Sequence, residues 1–215
     1  MLDAVVVMIC SLVVTCRQTH LLFHSFSSLF DATIYLQDPD QEVHAIEEEV
    51  VVEAGCIAKV AQANSRVLIA GPAGSGKELV ARQIHEASPR ARAEFVAISA
   101  AGMTPERLDV ELFGEEGLDG RPRKIGVFER AHNGTLYLDD VGDMPRESQS
   151  RILRVLVEQR FRRVGGEQDV QVDVRVVTST SRDLKVEIAE GRFREDLFHR
   201  LNVVPIRVPA LSERR

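Results

Sequence analysis

The sequence predicts an α/β fold, a parallel five-stranded sheet sandwiched by helices, on three observations. Short apolar runs without polar alternation recur between residues 64 and 215, as in strands buried on both faces. Segments with apolar residues at helical spacing separate them, the pattern of a sheet covered on both sides. A glycine-rich motif and an acidic pair each follow a strand directly, at the strand ends where such sheets bind ligands.

The elements follow in order. Residues 1–40 are mixed in character and stay unassigned. From Glu42 to Ala61, Val43, Ile46, Val50, Ile57 and Val60 keep to one face, which predicts a helix over about 41–63 leading into the domain. Arg66–Ala70 reads as the first strand and Lys77–Ala87 as a helix, with Val80, Ile84 and Ala87 at helical spacing. Phe95–Ile98 is the second strand. Thr104 and Pro105 suit an N-cap and first helical position. Thr135–Leu138 is the third strand. Arg146–Gln159 is a helix burying Ile152, Leu153, Val155 and Leu156. Asp173–Thr180 is a fourth strand, Asp183–Ala189 a helix and Val203–Val208 a fifth strand.

Gly71-Pro72-Ala73-Gly74-Ser75-Gly76-Lys77 lies between a predicted strand and a predicted helix. In that context the pattern is a phosphate-binding P-loop. Glycines let backbone amides curl around phosphate oxygens, the helix N-terminus adds positive potential, and Lys77 supplies a point charge. Position 78 is Glu where a hydroxyl commonly touches magnesium. About sixty residues further on, Leu136-Tyr137-Leu138 ends in Asp139 and Asp140. There Asp139 is expected to hold Mg2+, directly or through water, and Asp140 to orient and deprotonate an attacking water. ATP and Mg2+ are thus the expected ligands.

The totals bound the remaining options. The chain has 215 residues and a net charge of −6, which argues against non-specific nucleic-acid binding by the whole chain. Cys10, Cys16 and Cys56 form no disulfide or zinc pattern, and His20 and His24 lack partners for a metal site. The apolar stretch Ala4–Cys16 is shorter than the roughly 20 residues of a membrane span. A cytoplasmic location, no membrane and DNA contact only through another domain are expected.

Longer motifs carry a resemblance. Glu111-Leu112-Phe113-Gly114 and the run Gly126 to Leu136 are similar to the AAA+ ATPase core of sigma-54-dependent transcriptional regulators. So are Arg163-Val164-Gly165-Gly166, Asp173 to Val177, Gly191 to Pro205 and Val208 to Arg215. The similarity covers residues 64–215, and the nearest subgroup is the NtrX-type nitrogen response regulators of two-component systems. In that family the P-loop also ends in Lys-Glu, so Glu78 fits.

The resemblance implies further roles. Arg194 and Arg200 match arginines that reach a neighbouring subunit's nucleotide, and Thr180 matches a sensor of the γ-phosphate. Fingers acting in trans imply a ring of copies of the chain, expected to be a hexamer. Ser99 stands where the family has an Asn linked to the catalytic carboxylate, and Ser181 replaces an Asn or His. RNA polymerase carrying sigma-54 is the implied partner. The Gly-Ala-Phe-Thr-Gly-Ala loop that engages sigma-54 is replaced by Glu115 to Lys124, which argues against direct remodelling. The helical lid is missing, and the chain reads as truncated before it. The reading is therefore an ATP-hydrolysing regulator domain; the alternative is a nucleotide-binding oligomerisation module or a remnant without ATPase activity.

Overall fold

The computed structural model describes residues 50–51, 54–117 and 119–210. The expectations for Ala4–Cys16, Cys10, Cys16, His20, His24, residues 42–49 and residues 211–215 lie outside the described residues. Among the described residues no helix is long and apolar enough to cross a membrane.

Val50–Val51 forms a short strand, β1, inside the segment expected to be helical throughout. Two adjacent β-branched residues favour extended backbone. The helix α1 is confined to Ala54–Gln62, and it carries Cys56. The alternation then proceeds largely as predicted. It runs β2 (Val67–Ala70), α2 (Lys77–Glu86), β3 (Phe95–Ser99) and α3 (Pro105–Phe113). Thr104 caps α3, its hydroxyl accepting from the Arg107 amide at 3.4 Å.

Two elements not foreseen follow. They are a hairpin of β4 (Glu115–Glu116) with β5 (Pro122–Lys124), and the single-turn helix α4 (Val127–Arg130). Next come β6 (Thr135–Asp139), a 3-10 turn at Val141–Asp143 and α5 (Arg146–Glu158). A second unforeseen hairpin joins β7 (Arg160–Arg162) to β8 (Asp169–Gln171). The chain continues through β9 (Arg175–Thr180), α6 (Leu184–Ala189), α7 (Glu195–Leu201) and β10 (Val204–Arg207).

The main sheet has the order β1-β10-β2-β9-β6-β3. Every pair among its five longer strands is parallel. All six residues of β9 are buried; its two valines pack in the interior, and its four polar side chains, Arg175, Thr178, Ser179 and Thr180, are hydrogen-bonded. The helices pack Leu108, Leu112, Ile152, Val155, Leu156, Leu197 and Leu201 onto the sheet; Leu153 is only partly buried. Register decides which strand ends meet. Ala70 lies opposite Thr180, and Ser99 opposite Asp139, so the ends of β2, β9, β6 and β3 finish side by side.

Two buried polar side chains fasten the layers. Arg175 is 3 % exposed and donates to the carbonyls of Val60 and Ala61 at 2.7 Å and of Ser65 at 3.3 Å. It thereby supplies donors to the C-terminal carbonyls of α1, which lack intrahelical partners. Burial lowers its guanidinium to about 10, so it stays charged near neutrality. His85 sits against Phe95 and its Nδ1 lies 2.9 Å from the Thr135 hydroxyl. Burial depresses its pKa below the ordinary 6.5.

The unfolded chain therefore binds a proton on His85 more readily than the folded one. That contribution to stability is present above about pH 6.5 and is lost as pH falls below it. In urea titrations, wild type is expected to lose stability more steeply than His85→Gln as pH falls below about 6.5. Parallel slopes for the two proteins would contradict this.

Candidate functional site

The loop after β2 turns sharply because its glycines permit it. Gly74 and Gly76 have φ of 75° and 88°, conformations costly for residues with a Cβ. At Gly71 a Cβ would lie 2.4 Å from the Val208 carbonyl oxygen, so the β2 end and the segment after β10 approach closely. The Gly71 amide donates to the Thr180 carbonyl at 3.1 Å, anchoring the loop to the end of β9. A Cβ on Gly74 would meet nothing within 4 Å, so open space lies beside the bend. Lys77 is buried, and its Nζ donates to the carbonyls of Gly71 and Pro72, each at 3.1 Å. An ammonium has three donors, so one remains for a ligand. The amides of Lys77 and Glu78 open α2 and have no intrahelical acceptor. Pro72 and Ala73 are exposed, while Ser75 is buried. The Glu78 carboxylate turns to the surface and pairs with Arg82 at 2.7 Å.

The acidic pair stands beside this loop. Asp139 closes β6, and its Oδ1 accepts from the Tyr137 hydroxyl at 2.7 Å and from the Ser179 hydroxyl. Burial and the neighbouring Asp139 raise the Tyr137 hydroxyl well above its usual range, so it stays a donor. Two bonds on one oxygen orient the carboxylate and leave Oδ2 for another partner. Mg2+ is held in such sites by one or two carboxylates together with water and phosphate, and Asp139 fits that requirement. Among the described residues there is no cluster of three or more His, Cys, Asp or Glu that would form a metal cage by itself.

Asp140 adopts left-handed backbone, φ 49° and ψ 55°. Its amide donates to Ser179 Oγ at 3.1 Å, and its carboxylate accepts from the Ser181 hydroxyl at 3.0 Å. Ser179 therefore touches both acids and Ser181 holds the second. Thr180, between these serines, is buried and braces the turn to Arg182: its hydroxyl donates to the Arg182 carbonyl at 3.0 Å and accepts from the Arg182 amide at 3.1 Å. Gly142 passes close by, since a Cβ there would lie 3.2 Å from Thr180 Oγ1.

The other expected site residues sit differently. Ser99 is exposed beside Asp139, but its hydroxyl accepts from the Ala101 amide at 3.3 Å. Arg194, the N-cap of α7, forms a two-pronged pair with Asp196 at 2.9 and 2.6 Å and donates to Ser150 at 3.2 Å. Asp196 raises the Arg194 guanidinium above its ordinary value. Arg200 is exposed on the same helix, and its carbonyl accepts from Arg66 at 2.9 Å. Tyr137 and Ser179 were not singled out from the sequence. The signal for Tyr137 was its position two residues before Asp139, on the same strand face; Ser179 gave none.

The charged stretch Glu115 to Lys124 is clamped at its base. Arg163 grips Glu129 with two bonds at 2.8 and 2.7 Å and Glu116 with one at 3.2 Å. Gly166 lies flat against Glu116, where a Cβ would approach the carboxyl carbon to 2.7 Å. The Glu116 amide donates to the Val164 carbonyl at 3.0 Å, and the Val164 amide to that of Gly114 at 2.9 Å.

Comparisons with known proteins place the chain in a family. The profile of the family described as the Sigma-54 interaction domain matches residues 45–207. The nitrogen assimilation regulatory protein NtrX of Azorhizobium caulinodans is 63% identical over 157 residues, which are 73% of this chain and 35% of that protein. The DNA-binding transcriptional regulator NtrC of Klebsiella pneumoniae is 46% identical over 162 residues, 74% of this chain and 34% of that protein. Among solved structures, NtrX from Brucella abortus in complex with ADP superposes with a TM-score of 0.70 at 59% identity, covering 74% of this chain and 35% of that one. The same protein in complex with ATP gives a TM-score of 0.69 at 59% identity, covering 74% and 34%. The chain thus spans about a third of the length of the relatives it matches.

Proposed function

The chain belongs to the Sigma-54 interaction domain family, and from that premise we propose that it binds ATP at the β2–α2 loop and hydrolyses it as the motor domain of an NtrX-type response regulator. The observation that carries the reading is the meeting of Lys77, Asp139 and Asp140 at neighbouring strand ends, tied together through Thr180 and Ser179. The loop amides and Lys77 bind the triphosphate. Asp139, through Oδ2, would hold Mg2+, which would supply charge neutralisation for the phosphates. Asp140 accepts the proton of the attacking water, and Thr180 reads the γ-phosphate. Arg194 and Arg200 act on the nucleotide of the next subunit in a ring, a hexamer in this proposal. The ADP and ATP complexes of the Brucella protein support the ligand assignment. The kinship with bacterial transcription regulators supports a cytoplasmic, two-component role.

RNA polymerase with sigma-54 is the family's partner. In this chain the stretch from Glu115 to Lys124 is a short charged hairpin clamped by Arg163, which favours an output other than insertion of a mobile loop. A second reading rests on Asp140. One methylene shorter than Glu and held by Ser181, it favours a module that binds nucleotide without turnover.

Phosphate release measured with Mg2+ and ATP, beside a titration with the same nucleotide, separates the readings. Turnover together with binding is the expected result. Tight binding without phosphate release would leave only the module, and absence of both would remove either reading.

A further inference from the structure

Gln149 occupies the first turn of α5 and is 0 % exposed. Its amide nitrogen donates to the carbonyls of Met144 and Arg192, both at 2.9 Å. Its amide oxygen accepts from the backbone N–H of Arg194 at 2.9 Å. Both donors and the acceptor are therefore used on a buried side chain, where a satisfied network defines a single geometry.

The three partners lie in two functionally different segments. Met144 ends the turn that begins at Asp140, its amide donating to the Val141 carbonyl at 3.2 Å. Arg192 and Arg194 flank Phe193 at the entry to α7. One side chain thus connects the loop downstream of the two acids to the backbone of the residue expected to serve the neighbouring subunit. Arg182 reinforces the link by pairing with Asp143 and, at 3.6 Å, with Glu187. Glu187 is buried and in turn holds Arg192 at 2.5 Å.

We propose that Gln149 is a positioning residue that sets where Arg194 stands relative to the catalytic loop of its own subunit. A displacement of residues 140–144 in one subunit is passed through the Gln149 amide to the arginine that completes the next site. This rests on the reading of the chain as an ATPase with Arg194 acting in trans. The Arg194 backbone is held in place by Gln149, while its guanidinium rests on Asp196 and Ser150 at the surface, partners a phosphate would replace.

Gln149→Met keeps nearly the same volume while removing all three bonds. Its kcat for ATP is expected to fall by about 10²-fold, the scale of a small misplacement of a catalytic group. KM stays near wild type because the phosphate loop is untouched. The deciding measurement mixes this variant with Lys77→Ala subunits, which have a damaged phosphate loop and native arginines. Turnover per Gln149→Met subunit is expected to climb towards wild type as Lys77→Ala is added, since a neighbour then supplies a correctly held Arg194. A merely structural defect in the variant is not repaired by its neighbour.

Should Gln149→Met fail to fold, Gln149→Glu takes its place in the same mixtures: it keeps the acceptor for the Arg194 amide and loses the donors to Met144 and Arg192. Wild-type kcat in the folded variant, or no recovery on mixing, would overturn the proposal while leaving the ATPase reading intact. Absence of turnover in the wild-type chain would remove both.

Discussion

Arg194→Ala is expected to lower ATP turnover by about 10³–10⁵-fold, the range assigned to an arginine that neutralises charge on a transferring phosphoryl group. The argument begins with its position. Arg194 stands at the entry of α7, bonded to Asp196 and Ser150, away from the phosphate loop of its own chain in hydrogen-bond terms. In the proposed reading it serves the nucleotide of a neighbouring subunit. Nucleotide affinity is expected to remain close to wild type, because Lys77 and the loop amides are intact. Arg194→Lys is expected to rescue little, since an ammonium lacks the planar fork that spans two phosphoryl oxygens. Steady-state phosphate release beside a nucleotide titration reads both quantities. Turnover within about tenfold of wild type in Arg194→Ala, a difference of only ~1.4 kcal/mol in barrier, would reduce the arginine to half of a surface ion pair with Asp196.

Lys77→Ala is expected to lose nucleotide binding and turnover together, the latter by about 10²–10³-fold, as for removal of one preorganised donor at a site of developing charge. Lys77 is buried and held by the Gly71 and Pro72 carbonyls, so its ammonium is fixed before ligand arrives. Removing it leaves those two carbonyls without their shared donor and the loop without its positive charge. Lys77→Arg is not expected to restore function, because a guanidinium is larger and needs a different donor geometry. The signature that separates the two variants is affinity: weakened in Lys77→Ala, preserved in Arg194→Ala. Binding at wild-type strength in Lys77→Ala would contradict the assignment of the phosphate loop.

How much of this was readable in the sequence depended on range. The β2–α2 loop was legible because its chemistry is contiguous: strand, glycines, lysine and helix follow within one short segment, and each is recognised by local rules. The capped start of α3 was legible for the same reason, with Thr104 and Pro105 adjacent. The two hairpins were not. β4 and β5 have two and three residues, too few for alternation to show, and their charged side chains resemble a loop. They are held by Arg163 and Gly166, far along the chain. Helix α7 has seven residues, and the spacing of Leu197 and Leu201 alone does not separate a short helix from a loop. The helix predicted before the domain gives way to a strand at Val50 and Val51; helical periodicity placed Val50 on the apolar face and could not see that two adjacent β-branched residues favour extended backbone.

By itself the sequence determined which groups are available: the glycines and Lys77 that can surround phosphates, two carboxylates at the end of an apolar strand, and the family kinship. The tertiary structure alone decided which groups touch. The bond from Ser179 to Asp139 joins residues 40 positions apart, and that from Arg194 to Gln149 joins residues 45 apart. Such bonds depend on strand order and register, which set contacts between distant segments and leave no local pattern in the residues. The arrangement of β2, β9, β6 and β3 brings the ends of four separate strands to one rim, and that is where the β2–α2 loop, Asp139, Asp140 and Thr180 gather as the candidate site.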